Sequence, residues 1–193
     1  GAQDAAAAAA AFGGVLALGP AFDGYDVRVR LALAALHQND LGATESNLRR
    51  AIAFDDTRVE PHALLAELFA QHGREADRAA ELEAALALEP QNATRAKELV
   101  LASARAGRSA RVVATAPVAI FIDPADADVH AALARALAAT GQPSLAARAY
   151  ERALLFRPAD AAPIHRALAE LYARLGDTTR AAAHRAAVTP SAP

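Results

Sequence analysis

ADVHAALARALAATGQPSLAARAYERALLFRPAD, residues 127–160, is the stretch that decides the fold. Val129, Leu133, Ala134 and Leu137 recur at helical spacing and give one apolar stripe. Gly141 closes that helix, because glycine accepts the left-handed conformation that a C-terminal cap requires. Pro143 and Ser144 suit the start of a second helix, which carries Ala146, Tyr150, Ala153 and Leu154 on one face. Pro158 stops it. The stretch therefore reads as helix, tight turn, helix and loop.

The same pattern repeats at 34 residues on either side: Gly73, Gly107 and Gly141 keep that step, and so do Pro90, Pro124 and Pro158. Leu31, Leu65, Leu99 and Leu133 follow it, as do Ala51, Ala85, Ala119 and Ala153. The turn column reads Asn39, Gly73, Gly107, Gly141 and Gly176, asparagine being the next-best occupant of a left-handed cap. A mainly small column, Ala32, Ala66, Val100, Ala134 and Ala169, lets helices approach closely. The units fall at 25–58, 59–92, 93–126, 127–160 and 162–190, the last offset by one residue, with 191–193 as a tail. One two-helix unit cannot bury its apolar face alone, so neighbours stack. Residues 1–24 lie outside the register and are expected to form an alanine-rich capping helix or a partial repeat.

His130, Leu133, Ala134, Leu137, Gly141, Ala146, Tyr150, Ala153 and Pro158 stand where the signature residues of the tetratricopeptide repeat stand, as do Tyr172, Gly176 and Ala181 in the last unit. Residues 25–190 accordingly resemble that family. The resemblance implies an all-α, right-handed α-solenoid of about five helix–turn–helix repeats whose concave face holds a protein or peptide. The family's first-helix tryptophan is missing; His62, His130 and His165 take its place. The lysine–asparagine clamp with which the family's cochaperones hold a peptide carboxylate is also missing. Lys97 has Leu101 one turn on, and the first unit has Val29 and Leu33 there.

Two units depart from the pattern. Arg185 stands where Leu48, Leu82 and Tyr150 sit, which gives the last helix the polar outer face expected of an array's end. Pro117 falls within the second helix of the third unit, among Val112, Val113, Val118, Ile120 and Ile122. The expectation is a kinked helix whose burial offsets a penalty of about 3 kcal/mol in a regular one, the alternative a functional hinge; a helix restarting at Pro117 would place the break near Thr115–Ala116.

Composition narrows the function classes. An apolar fraction of 54% excludes a disordered chain, and a net charge of −2 gives no general drive toward nucleic acid or anionic lipid. The chain has no cysteine, hence no disulfide framework, thiolate nucleophile or cysteine zinc site. It has no methionine, including at its start, so a processed or excised piece is the expectation. The abundance of arginine over a lone lysine, Lys97, together with the alanine content, points to a GC-rich bacterial source, cytoplasmic or periplasmic. No run is long and apolar enough to span a membrane.

No phosphate-binding glycine loop, GxSxG elbow or HExxH pair occurs. His62, His130 and His165 recur at the inter-repeat spacing of roughly 10 Å, too far apart to share a zinc ion. No catalytic residue, metal or cofactor is expected. The candidate partner-binding positions lie on the concave faces of the first helices: Val29, Leu33, His37, Glu67, Lys97, Leu101, Arg105, Arg135, Arg166, Glu170 and Arg174. Lys97, Arg105, Arg135, Arg166 and Arg174 make a basic track that would meet acidic residues of a partner, arginine favouring bidentate contacts to carboxylates. The bland alternative is solvated charge, with Arg135–Glu170 and Arg166–Glu170 satisfying each other. RNA binding would need base-reading side chains in every repeat, and Tyr25, Tyr150 and Tyr172 do not share a groove column. The expected function is a noncatalytic protein-interaction scaffold. The alternative is a regulatory or substrate-presenting domain of a larger enzyme.

Overall fold

The computed structural model describes residues 2–188. Ala2–Ala17 form α1, followed by a 3-10 turn at Pro20–Phe22. Five helix pairs come next: α2 (Tyr25–His37) with α3 (Leu41–Phe54), α4 (Val59–Gln71) with α5 (Glu75–Leu88), α6 (Ala93–Arg105) with α7 (Ser109–Ile122), α8 (Ala127–Ala139) with α9 (Pro143–Leu155), and α10 (Ala162–Arg174) with α11 (Thr178–Val188). No strand occurs among the described residues. The expected tail at 191–193 lies outside them.

The turn within each pair explains the glycine column. Asn39, Gly73, Gly107, Gly141 and Gly176 have φ of 58°, 66°, 68°, 77° and 81°, all left-handed. The N–H of the next residue then turns back onto the carbonyl five positions earlier. Asp40 bonds Ala35, Arg74 bonds Phe69, Arg108 bonds Ser103, Gln142 bonds Leu137 and Asp177 bonds Tyr172, each at 2.9 Å. Those bonds satisfy carbonyls that a helix end otherwise orphans. Asp40 and Asp177 also start the following helices, their side chains accepting the N–H groups of Ala43 and Arg180 at 2.9 Å.

The chain divides into two compact units, one up to Pro90 and one from Gln91. In the first, Ala32, Leu48, Leu65, Leu68 and Phe69 form the core, with Leu36, Leu41, Ile52 and Leu64 packed around them. α1 lies against α2, and the Arg30 guanidinium sits 5.7 Å from the centre of the Phe12 ring. In the second, Leu137, Tyr150, Leu168, Leu171 and Tyr172 close around the small residues Ala134, Ala146 and Ala153. The small column is buried from end to end. Each fully buried leucine contributes about 2 kcal/mol by removal of its surface from water.

α7 is one unbroken helix through Pro117, so the break near Thr115–Ala116 does not occur. Pro117 is exposed, while Val112, Ala116 and Ala119 of the same helix are buried and hold it. The one-residue offset of the last unit has a local cause. α9 ends at Leu155, one position short of the register, and Arg157 takes a left-handed conformation with φ 51°. The connection to α10 is longer as a result, and Asp160 rather than the preceding residue accepts the Ala162 N–H at 2.9 Å.

Candidate functional site

The column that holds histidine in place of the family's tryptophan forms cross-links within helix pairs. Its partner lies 19 residues later, on the second helix. Arg28 donates to Asn47 at 2.9 Å, buried His62 donates from Nδ1 to Glu81 at 2.7 Å, and the His165 and His184 Nδ1 atoms meet at 2.9 Å. His130 differs, donating to the Pro124 carbonyl at 3.0 Å and stacking on Phe156 with ring centres 5.3 Å apart. These side chains tie helices together. Among the described residues, no three His, Asp or Glu side chains gather to hold a metal ion.

The first-helix faces behave differently in the two units. In the first, Val29 is only 6% exposed and belongs to the interior, away from any open face. Leu33 and His37 of α2 line a hollow of about 400 Å³ with Asp4, Ala8 and Phe12 of α1 opposite. Glu67 is exposed on α4 and accepts a bond from Gln71 at 3.0 Å, one turn on.

In the second unit, Leu101, Ala104 and Arg105 of α6 face Asp128, Ala131 and Arg135 of α8 across an open hollow, also of about 400 Å³. Its lining mixes the apolar Leu101, Ala104 and Ala131 with two guanidinium groups and one carboxylate. Lys97 is not part of it. Its ammonium binds Asp126 at 2.8 Å and Asp128 at 3.4 Å, and those contacts raise its pKa. Burial pushes the Asp126 carboxyl up, but the Lys97 ammonium and the N–H groups of Val129 and Asp128 outweigh it and hold the carboxyl below its usual range. Lys97 is thus engaged in fixing the start of α8, and it also draws off the one carboxylate on the hollow's wall.

Arg135 has no such partner among the described residues. Among the described residues neither Arg135–Glu170 nor Arg166–Glu170 closes into an ion pair. Arg135 and Glu170 do act in opposite senses on the Tyr150 hydroxyl, whose pKa burial raises. Arg166 and Glu170 line a separate hollow of about 290 Å³ against Arg185 and Val188 of α11. Arg174 is exposed at the end of α10. The basic positions read from the sequence therefore fall into an engaged lysine, an α6–α8 hollow bearing Arg105 and Arg135, and an α10–α11 hollow bearing Arg166.

No protein-family model matches the sequence, and no curated protein matches it. Solved structures are similar in fold. A MamA protein is 16% identical with a TM-score of 0.70, over 85% of this chain and 89% of that one. A MamA fragment from Desulfovibrio magneticus RS-1 is 17% identical with a TM-score of 0.66, over 86% and 93%. MamA AMB-1 is 22% identical with a TM-score of 0.65, over 85% and 89%. At these identities the likeness is one of architecture: the chain shares the tetratricopeptide-type helical-repeat fold of the MamA proteins.

Proposed function

We propose that this chain is a noncatalytic protein-interaction scaffold, and that the α6–α8 hollow of its second unit receives an acidic segment of a partner protein. The observation that carries this reading is Arg135, which closes no ion pair among the described residues and lines the same hollow as Leu101, Ala104 and Ala131. A peptide side chain can set its methylene groups against those three apolar residues and present its carboxylate to the arginine in a bidentate contact. Asp128, the opposing carboxylate on the wall, is held by Lys97 and offers Arg135 little competition. The helical-repeat architecture supports the reading, since such arrays expose extended binding faces. Arg166 and Glu170 on α10 would extend the contact for a longer ligand.

The test is affinity capture with the native chain and with an Arg135→Glu/Arg166→Glu version at low and high salt. The proposal expects a partner that the native chain retains, that rising salt weakens and that charge reversal removes. A partner held equally by both proteins would move the interface elsewhere.

A further inference from the structure

The last helix pair contains a polar cluster that the binding reading leaves unused. The His165 and His184 Nδ1 atoms lie 2.9 Å apart, with ring centres at 5.2 Å. Tyr172 stacks on His184 at 5.8 Å with the rings 5° from parallel. From α9, Glu151 accepts the Tyr172 hydroxyl proton; from α11, Arg180 donates to the same hydroxyl oxygen at 2.9 Å and lies over the Tyr172 ring. Both histidines are only partly buried, so protons reach them. Of the eleven residues of α11, Ala181 is the fully buried one.

At neutral pH one imidazole carries hydrogen on Nδ1 and donates it to the lone pair of the other. A first proton enters at an Nε2 and leaves that bond in place, now charge-assisted. A second proton must occupy the accepting Nδ1. Two N–H groups then point at each other, on two cationic rings, with the Arg180 guanidinium adding to the repulsion. Two carboxylates face the cluster: Glu151 acts on His184 and is already shared with Tyr172 and, at 3.9 Å, Arg180, while Asp177 pairs with Arg180 at 2.6 Å and offsets part of its charge. Consistent with this arrangement, burial and then the neighbouring His165 hold the His184 pKa below the ordinary histidine value.

We propose that the His165–His184 pair is an acid-releasable latch: neutral or singly protonated it holds α11 against α10, and double protonation frees α11. Release uncovers the face of α10 that carries Leu168 and Tyr172, and it opens the hollow formed by Arg166, Glu170 and Arg185. The latch gives this end of the chain a response to acidification. It does not depend on what binds between α6 and α8.

Amide hydrogen exchange, expressed as protection factors at about pH 7.5 and about pH 5, tests it directly. The α11 amides of the native protein should lose protection on the order of tenfold at the lower pH, the scale of repulsion between like charges at this separation near water. Those of α9 should hold. His184→Phe and His165→Phe keep a flat ring in place but accept no proton, and either should abolish the pH dependence in α11. Unchanged α11 protection in the native protein, or an equal acid loss in both variants, overturns the latch. Should the variants fail to fold, imidazole resonances of the native protein decide the matter. Two separated titration steps for His165 and His184 support the coupling, and two coincident ordinary titrations refute it.

Discussion

Replacing Gly107 tests the turn that organises every repeat. Gly107 sits at φ 68°, its N–H bonds the Ala104 carbonyl at 3.1 Å, and the next N–H bonds Ser103 at 2.9 Å. A Cβ built there meets nothing within 4 Å, so the cost of a side chain is backbone strain alone. An L-residue in this region loses about 1–2 kcal/mol. The smaller unfolded-state entropy of a non-glycine residue returns about 0.4–1 kcal/mol. Gly107→Ala should therefore cost about 1 kcal/mol. Gly107→Val should cost about 2 kcal/mol, because a branched Cβ is a poor occupant of this conformation. Gly107→Asn should cost less than either, since Asn39 already fills the equivalent turn at φ 58°. Urea unfolding followed by circular dichroism at constant m-value reads the three differences. Equal losses for Asn and Val, or none for Val, would show that the conformation at Gly107 is not what the turn requires.

The remaining predictions concern polar contacts. Asp126→Ala removes the cap of α8 and the partner of Lys97 and should cost about 1–2 kcal/mol in the same assay. Because the folded carboxyl titrates below its unfolded value, that contribution is complete above about pH 4 and fades as pH falls through the folded pKa. The native-minus-variant difference should therefore shrink in acid, and a constant difference would count against the ion pair. Glu81→Leu strands the buried His62 Nδ1 and should cost about 1–3 kcal/mol, whereas His62→Phe/Glu81→Leu together should cost less than Glu81→Leu alone. Additive losses would deny the coupling. Arg157→Gly relieves a left-handed arginine and should raise stability by about 0.5–1 kcal/mol, so a fall would contradict the strain assigned there.

The repeat was legible because it rests on local chemistry. A glycine every 34 residues answers a left-handed backbone, and the leucine and alanine columns answer helix spacing, so both could be read without knowing any contact. The candidate site was legible only in part. Leu101, Arg105 and Arg135 stand where helical phase puts them, on facing helices. Val29 and Lys97 share a column with Ala63 and Ala131, and that column mixes buried and half-buried positions. Val29 is buried and Lys97 binds Asp126, and periodicity alone does not tell an inward from an outward residue at such a position. The histidine cross-links leave no mark at the 34-residue period. The 19-residue offset that joins His62 to Glu81 and His165 to His184 carries the missing signal. The strained Arg157 had a visible sign in the offset of the fifth unit, but only the backbone shows where the extra residue goes.

The most direct test of the scaffold reading is selection of a random peptide display library on the native chain, with each recovered peptide re-measured against Arg135→Glu. The account predicts peptides enriched in Asp and Glu whose binding weakens with salt and is lost on charge reversal, while the variant unfolds at the same urea concentration as the native protein. Peptides without acidic residues, or peptides that bind both proteins equally, would contradict it.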